Sequence, residues 1–116
     1  MKKKILVIDD EEMVLDTIQL VLGDMGCEVV TANNPIVGLN EVKNNEFDLI
    51  ISDLRMPTKT GADITADILK IRPNARILIL TAYPTDPLAK KALDVGALSL
   101  LKKPFEVAKI LDFLNQ

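Results

Sequence analysis

A chain of 116 residues is one domain by length, large enough to bury a core without disulfides or structural metals. Its 48% hydrophobic and 27% charged residues are ordinary for a soluble globular protein, whereas a net charge of −3 and 3% aromatic residues argue against a general nucleic-acid binder. The single cysteine, Cys27, excludes an internal disulfide, and the lack of histidine excludes a Ser–His pair, a His-ligated metal and phosphoryl donation from histidine.

No apolar run approaches membrane-spanning length. Met1-Lys2-Lys3-Lys4 has the look of a signal-peptide n-region, but Ile5 to Ile8 is too short for the apolar segment and runs straight into acids. A cytoplasmic protein with neither membrane nor nucleic acid as direct partner is expected.

Lys4 to Ile8 reads as a buried strand ending on Asp9-Asp10-Glu11-Glu12. A helix follows, with Val14, Ile18, Val21 and Met25 on one stripe, Leu15 and Leu22 beside it, and Gly26 closing it. Glu28 to Ala32 is a shorter strand. Asn34-Pro35 is a cap and first-turn pair that opens a helix to about Lys43. Phe47 to Asp53 is an almost wholly apolar run that ends abruptly on a carboxylate, as strands buried on both faces do. After a loop containing Met56-Pro57 and Gly61, a third helix reaches about Ile71, with Ile64, Ile68 and Ile71 inward. Ile77 to Leu80 is a fourth strand ending on Thr81, and Asp86-Pro87 caps a helix that stops before Gly96. Leu98 to Leu101 is the fifth strand, ending at Lys102-Lys103-Pro104. Val107, Ile110, Leu111 and Leu114 form the inner stripe of a last helix.

Five strands alternating with five helices predict an α/β fold, a single doubly wound (βα)5 domain over residues 1–116 with a parallel sheet. The common flavodoxin-like order for five strands is 2-1-3-4-5, with the ligand crevice at the switch point between the first and third strands. That order gathers Asp9, Asp10 and Asp53. Three carboxylates together repel and need a cation, and hard oxygen ligands suit Mg²⁺. Favourable charge at a helix start accounts for Glu11 and Glu12. Three carboxylates and one ammonium sum to about −2, which Mg²⁺ brings near neutral. A phosphoryl group on Asp53 could then be held by the metal, the Lys103 ammonium and the Thr81 hydroxyl.

Ile8-Asp9-Asp10-Glu11, Asp53-Leu54-Arg55-Met56-Pro57 with Gly61, Leu80-Thr81-Ala82, and Gly96-Ala97 followed by Lys103-Pro104-Phe105 resemble the response-regulator receiver family of two-component signalling, across essentially the whole chain. The resemblance implies a signalling phosphoacceptor, not an independent enzyme, charged by a sensor histidine kinase or histidine phosphotransfer protein. It makes Asp53 the acceptor, with Thr81 and Lys103 on the phosphoryl group. Asp9, Asp10 and Asp53 with the Arg55 backbone carbonyl would hold Mg²⁺ or Mn²⁺, and Lys103-Pro104 would be a cis peptide. Two positions depart from the family: Leu100 stands where an aromatic switch residue is usual, and Ser99 replaces a frequent aspartate. A weakened response at the face of the fourth helix, fifth strand and fifth helix is therefore expected, with shift changes confined to the phosphorylation site. Arg55 and Tyr83 flank the site as tuning residues, Tyr83 screening the in-line approach of water. Phe113 with Leu100 could form an apolar face for a target protein or a second copy of the chain.

The alternative is a phosphorylation-independent docking module, which Leu100 favours and the complete acid, threonine and lysine set opposes. A nucleotide or flavin enzyme of this topology needs a glycine-rich or phosphate-tolerant turn after the first strand, where this chain has acids. An aspartate-based phosphatase needs a second acid where Arg55 stands. The sequence holds no output domain, so the receiver either binds a target alone or belongs to a longer regulator.

Overall fold

The computed structural model describes residues 2–103 and 106–116. Elements alternate as β1 (Lys4–Ile8), α1 (Glu12–Asp24), β2 (Glu28–Ala32), α2 (Pro35–Asn44), β3 (Leu49–Asp53), α3 (Gly61–Ile71), β4 (Ile77–Thr81), α4 (Pro87–Val95), β5 (Ser99–Lys102) and α5 (Val107–Leu114). The strands form one parallel sheet of order β2-β1-β3-β4-β5, the predicted doubly wound order.

The period of two in a strand sends alternate side chains to opposite faces, and the two resulting cores are distinct. Leu6, Ile8, Ile50, Ile77 and Ile79 pack with Val42 of α2, Ile64 and Ile68 of α3, and Ala89 and Ala92 of α4. Ile5, Val7, Leu49, Ile51, Leu78 and Leu80 pack with Leu15, Ile18 and Leu22 of α1, and Ile110 and Leu114 of α5. Leu100 packs against the first of these cores and Phe113 against the second. The sheet lies between these two cores, and Leu100 and Phe113 are each only partly buried against them.

Three helices, α2, α3 and α4, begin where a side chain satisfies a first-turn amide. The Val37 N–H donates to Asn34 Oδ1 at the start of α2, and the Leu88 N–H donates to Asp86 Oδ1 at the start of α4. A capping box of Thr60 and Asp63, not anticipated from the sequence, starts α3. The α1 stripe is also rotated from expectation. Leu15, Ile18 and Leu22 are its buried residues, while Met25 is 49% exposed. Met25 is the C-cap rather than a core position, and Gly26 follows in the left-handed region at φ 88°, as the closing glycine should. Leu98, placed in the fifth strand by its apolarity, precedes β5 and is 45% exposed. Among the described residues no helix is long and apolar enough to cross a membrane.

Candidate functional site: an acidic cluster at the carboxyl ends of the central strands

Parallel register fixes which strand tips meet. Ile8 lies opposite Ser52, so Asp9 emerges beside Asp53. Asp53 in turn lies opposite Leu80, one residue before Thr81. Ligand oxygens of Asp9, Asp10 and Asp53 all fall within 4.8 Å of one another. Asp9 and Asp53 are buried and Asp10 is exposed, so the cluster opens to solvent on one side.

Lys103, just past β5, reaches into this cluster. Its Nζ lies 3.1 Å from Asp53 Oδ1, 3.6 Å from Asp9 Oδ2 and 2.9 Å from Glu11 Oε1. Glu11 was assigned from sequence to helix-start charge. Its side chain caps nothing in α1 and is instead the nearest carboxylate to Lys103. Spacing along the chain gave no hint of this, because 92 residues separate the two.

The Asp53 carboxylate is held through one oxygen. Oδ1 accepts from the Leu54 N–H at 3.0 Å and faces Lys103. Among the described residues, Oδ2 receives no hydrogen bond, which leaves an oxygen free for chemistry. Asp9 Oδ1 accepts from the Glu11 N–H at 2.9 Å, whereas Asp9 Oδ2 is buried without a hydrogen-bond partner among the described residues. Such an orphaned buried oxygen is costly.

Titration follows from this geometry. Burial pushes the Asp9 carboxyl up to about 6; its hydrogen bond from the Glu11 amide opposes that and the neighbouring Asp53 charge adds to it. Burial likewise raises Asp53, with Lys103 pulling the other way. For Lys103, burial disfavours the ammonium, but the carboxylates of Glu11, Asp53 and Asp9 together outweigh it and hold its pKa above the ordinary lysine value.

Thr81 is buried at the end of β4, and its hydroxyl is engaged with Tyr83, accepting from that residue's N–H at 3.0 Å. Tyr83 is 73% exposed. The Arg55 guanidinium forms a two-pronged ion pair with Asp86, Nε to Oδ2 at 2.6 Å and Nη2 to Oδ1 at 2.9 Å. This pair joins the β3–α3 loop to the start of α4 and was not foreseen. Gly61 belongs to the site for steric reasons. A Cβ there would sit 3.0 Å from both the Asp53 carbonyl oxygen and the Leu54 Cα. The expected cis peptide at Lys103-Pro104 lies outside the described residues.

A cavity of about 400 Å³, lined by Val42, Phe47, Ile50, Ile71 and Arg72 among others, opens at the opposite, amino-terminal edge of the sheet. It is remote from the acids and has no part in their chemistry.

A doubly wound fold with an acidic cluster and a buried Asp–Lys ion pair at its switch point defines a class of signalling domain, and comparison with known proteins agrees. Residues 5–115 match the model of the response regulator receiver domain, and the chain belongs to that family. It is 32% identical over 110 residues to a response regulator receiver protein of Anaeromyxobacter sp. (strain Fw109-5), covering 95% of this chain but 46% of that protein. It is 30% identical to sporulation initiation phosphotransferase F of Bacillus subtilis, covering 100% of this chain and 94% of that one. A solved response regulator from Burkholderia pseudomallei, with a phosphorylated aspartic acid, a calcium ion and citrate, superposes with a TM-score of 0.88 at 34% identity. That match covers 97% of this chain and 66% of the other. The chain thus spans less than half of the first of these relatives and nearly all of the second. The receiver domain is a signalling module, and its site is of the kind that supports Mg²⁺-dependent aspartate phosphorylation.

Proposed function

We propose that Asp53 is the phosphoacceptor and that a partner histidine kinase or histidine phosphotransfer protein is the donor. The observation that carries this reading is the state of Asp53: a buried carboxylate with one oxygen held by the Leu54 amide and Lys103 and the other free of donors among the described residues. In the transfer, that free oxygen attacks phosphorus as the bond from phosphorus to the donor histidine nitrogen breaks, and the leaving imidazole takes up a proton. Lys103 stabilises charge on the equatorial oxygens. Thr81, whose hydroxyl is hydrogen-bonded to the Tyr83 backbone in the unmodified protein, turns that hydroxyl to the phosphoryl group.

Asp9, Asp10 and Asp53, with the Arg55 backbone carbonyl, are the residues that would hold Mg²⁺ or Mn²⁺. The Asp9 Oδ2, without a hydrogen bond among the described residues, and the crowding of three carboxylates within 4.8 Å fit such an ion. When bound, a divalent ion supplies charge neutralisation for the acids and the incoming phosphoryl oxygens. The Burkholderia relative, with its phosphorylated aspartic acid and calcium, supports the same assignment. A docking module independent of phosphorylation is the competing reading.

Intact mass after incubation with a small phosphodonor decides between them. The wild type gains one phosphoryl group in the presence of Mg²⁺, and neither the metal-free protein nor Asp53→Asn does. Equal labelling of Asp53→Asn, or none of the wild type, removes Asp53 as acceptor.

A further inference from the structure

The connection between β4 and α4 is tied to the site at two points. Near its start, the Tyr83 N–H donates to Thr81 Oγ1. At its end, Asp86 is gripped by Arg55, which lies two residues past Asp53. Between them the Asp86 N–H donates to the Tyr83 carbonyl at 3.0 Å. Asp86 is also the first residue of the α4 cap: its side chain accepts from the Leu88 N–H and its carbonyl from the Ala89 N–H. Any movement of Asp86 therefore moves the first turn of α4.

We infer that the Arg55–Asp86 ion pair is a positioning latch, which holds the start of α4 in its unphosphorylated arrangement and opens when Asp53 carries a phosphoryl group. The inference rests on Asp53 being the acceptor. Lys103 already faces three carboxylates, and Arg55 is the cation nearest in sequence to Asp53. The acyl phosphate on Asp53 carries roughly −1.5 to −2 charge where the carboxylate carried −1, and it offers three acceptor oxygens against the single charge of Asp86. Guanidinium matches phosphate in the same two-pronged way as it matches carboxylate. Competition for Arg55 frees the Asp86 carboxylate while leaving its cap bond to Leu88 possible. The route passes through the β4–α4 connection and makes no use of residue 100, where this chain lacks an aromatic ring.

Amide NMR spectra of wild type, Arg55→Gln, Asp86→Asn and the double variant, before and after a small phosphodonor with Mg²⁺, test the latch. Intact mass of each sample is read in parallel. Asn caps a helix as well as Asp does, so Asp86→Asn removes the ion pair and keeps the cap. Asp86→Ala, which removes both, shows how much the cap alone contributes. The expected result is that Leu88, Ala89 and Ala92 amides of the unmodified variants already lie along the line from unmodified to phosphorylated wild type. Their remaining shift on phosphorylation falls at least twofold, and the double variant goes no further than either single one. Unmodified variants that superimpose on the wild type at these amides overturn the latch, as does an undiminished shift on phosphorylation. A mass increment with a silent α4 defeats the latch alone. No increment in the wild type defeats the phosphoacceptor reading, and the latch with it.

Discussion

Two halves of β3 are buried for opposite reasons. Leu49, Ile50 and Ile51 are at most 2% exposed and lie among other aliphatic side chains, Ile50 facing α2 to α4 and Ile51 facing α1 and α5. Two residues later Asp53 is almost as inaccessible at 5%, yet it carries a carboxylate beside two others. Removing apolar area from water stabilises the middle of the strand, whereas removing charge from water destabilises its tip. The fold tolerates the tip because the middle holds it in place, and the tip is where a cation and a phosphoryl group gain most from being bound.

The comparison can be broken first at the strand middle. Ile51→Ala should cost about 2–5 kcal/mol, the range for truncating a buried aliphatic side chain, measured as a shift of the urea unfolding midpoint; a loss under about 1 kcal/mol would contradict the division of roles.

At the tip the sign reverses. In metal-free protein Asp9→Asn should stabilise the fold above pH 6, by on the order of 2–3 kcal/mol from a pKa raised by about two units. The folded carboxyl near 6 binds its proton more tightly than the unfolded one near 4. The penalty on the wild type is therefore absent below about pH 4, grows between about 4 and 6, and is complete above. Unfolding curves of the two proteins should converge at low pH and separate at neutral pH, and added Mg²⁺ should close the gap by stabilising the wild type alone.

Gly61→Ala sharpens the link between the halves, since its Cβ would press on Asp53 and Leu54 backbone that cannot yield as a side-chain tip can. A net loss of about 1 kcal/mol is expected after the gain in helix propensity, with phosphorylation several-fold slower; unchanged labelling would show that the contact relaxes at no cost to the site. The smallest effect is kinetic. Tyr83→Ala should hasten loss of the phosphoryl group a few-fold, followed by mass, through easier in-line approach of water; an unchanged rate removes Tyr83 from the site.

The order of elements was legible because apolar runs of period two and 3.6, punctuated by Asn34-Pro35, Asp86-Pro87 and Gly96, are local signals. The convergence of Asp9, Asp10, Asp53 and Lys103 followed once the strand order was supplied, and the register bears it out. The contacts of Glu11 with Lys103 and of Arg55 with Asp86 could not be read in this way. Each joins loop positions 92 and 31 residues apart, and a charged residue in a loop carries no periodicity that says where it points. For the same reason Met25 and Leu98 were misplaced: apolar character marks a residue as fit for burial, but helix phase and element ends decide whether it is buried.

Alone, the sequence determined a parallel α/β domain with acids, a threonine and a lysine at successive strand ends, because backbone preferences and burial patterns act over a few residues. Tertiary structure decided which carboxylate oxygen is left without a partner, which cation each acid meets and how the site is tied to α4. Those are outcomes of distance and desolvation, and they exist only when segments far apart in the chain are brought within a few ångströms.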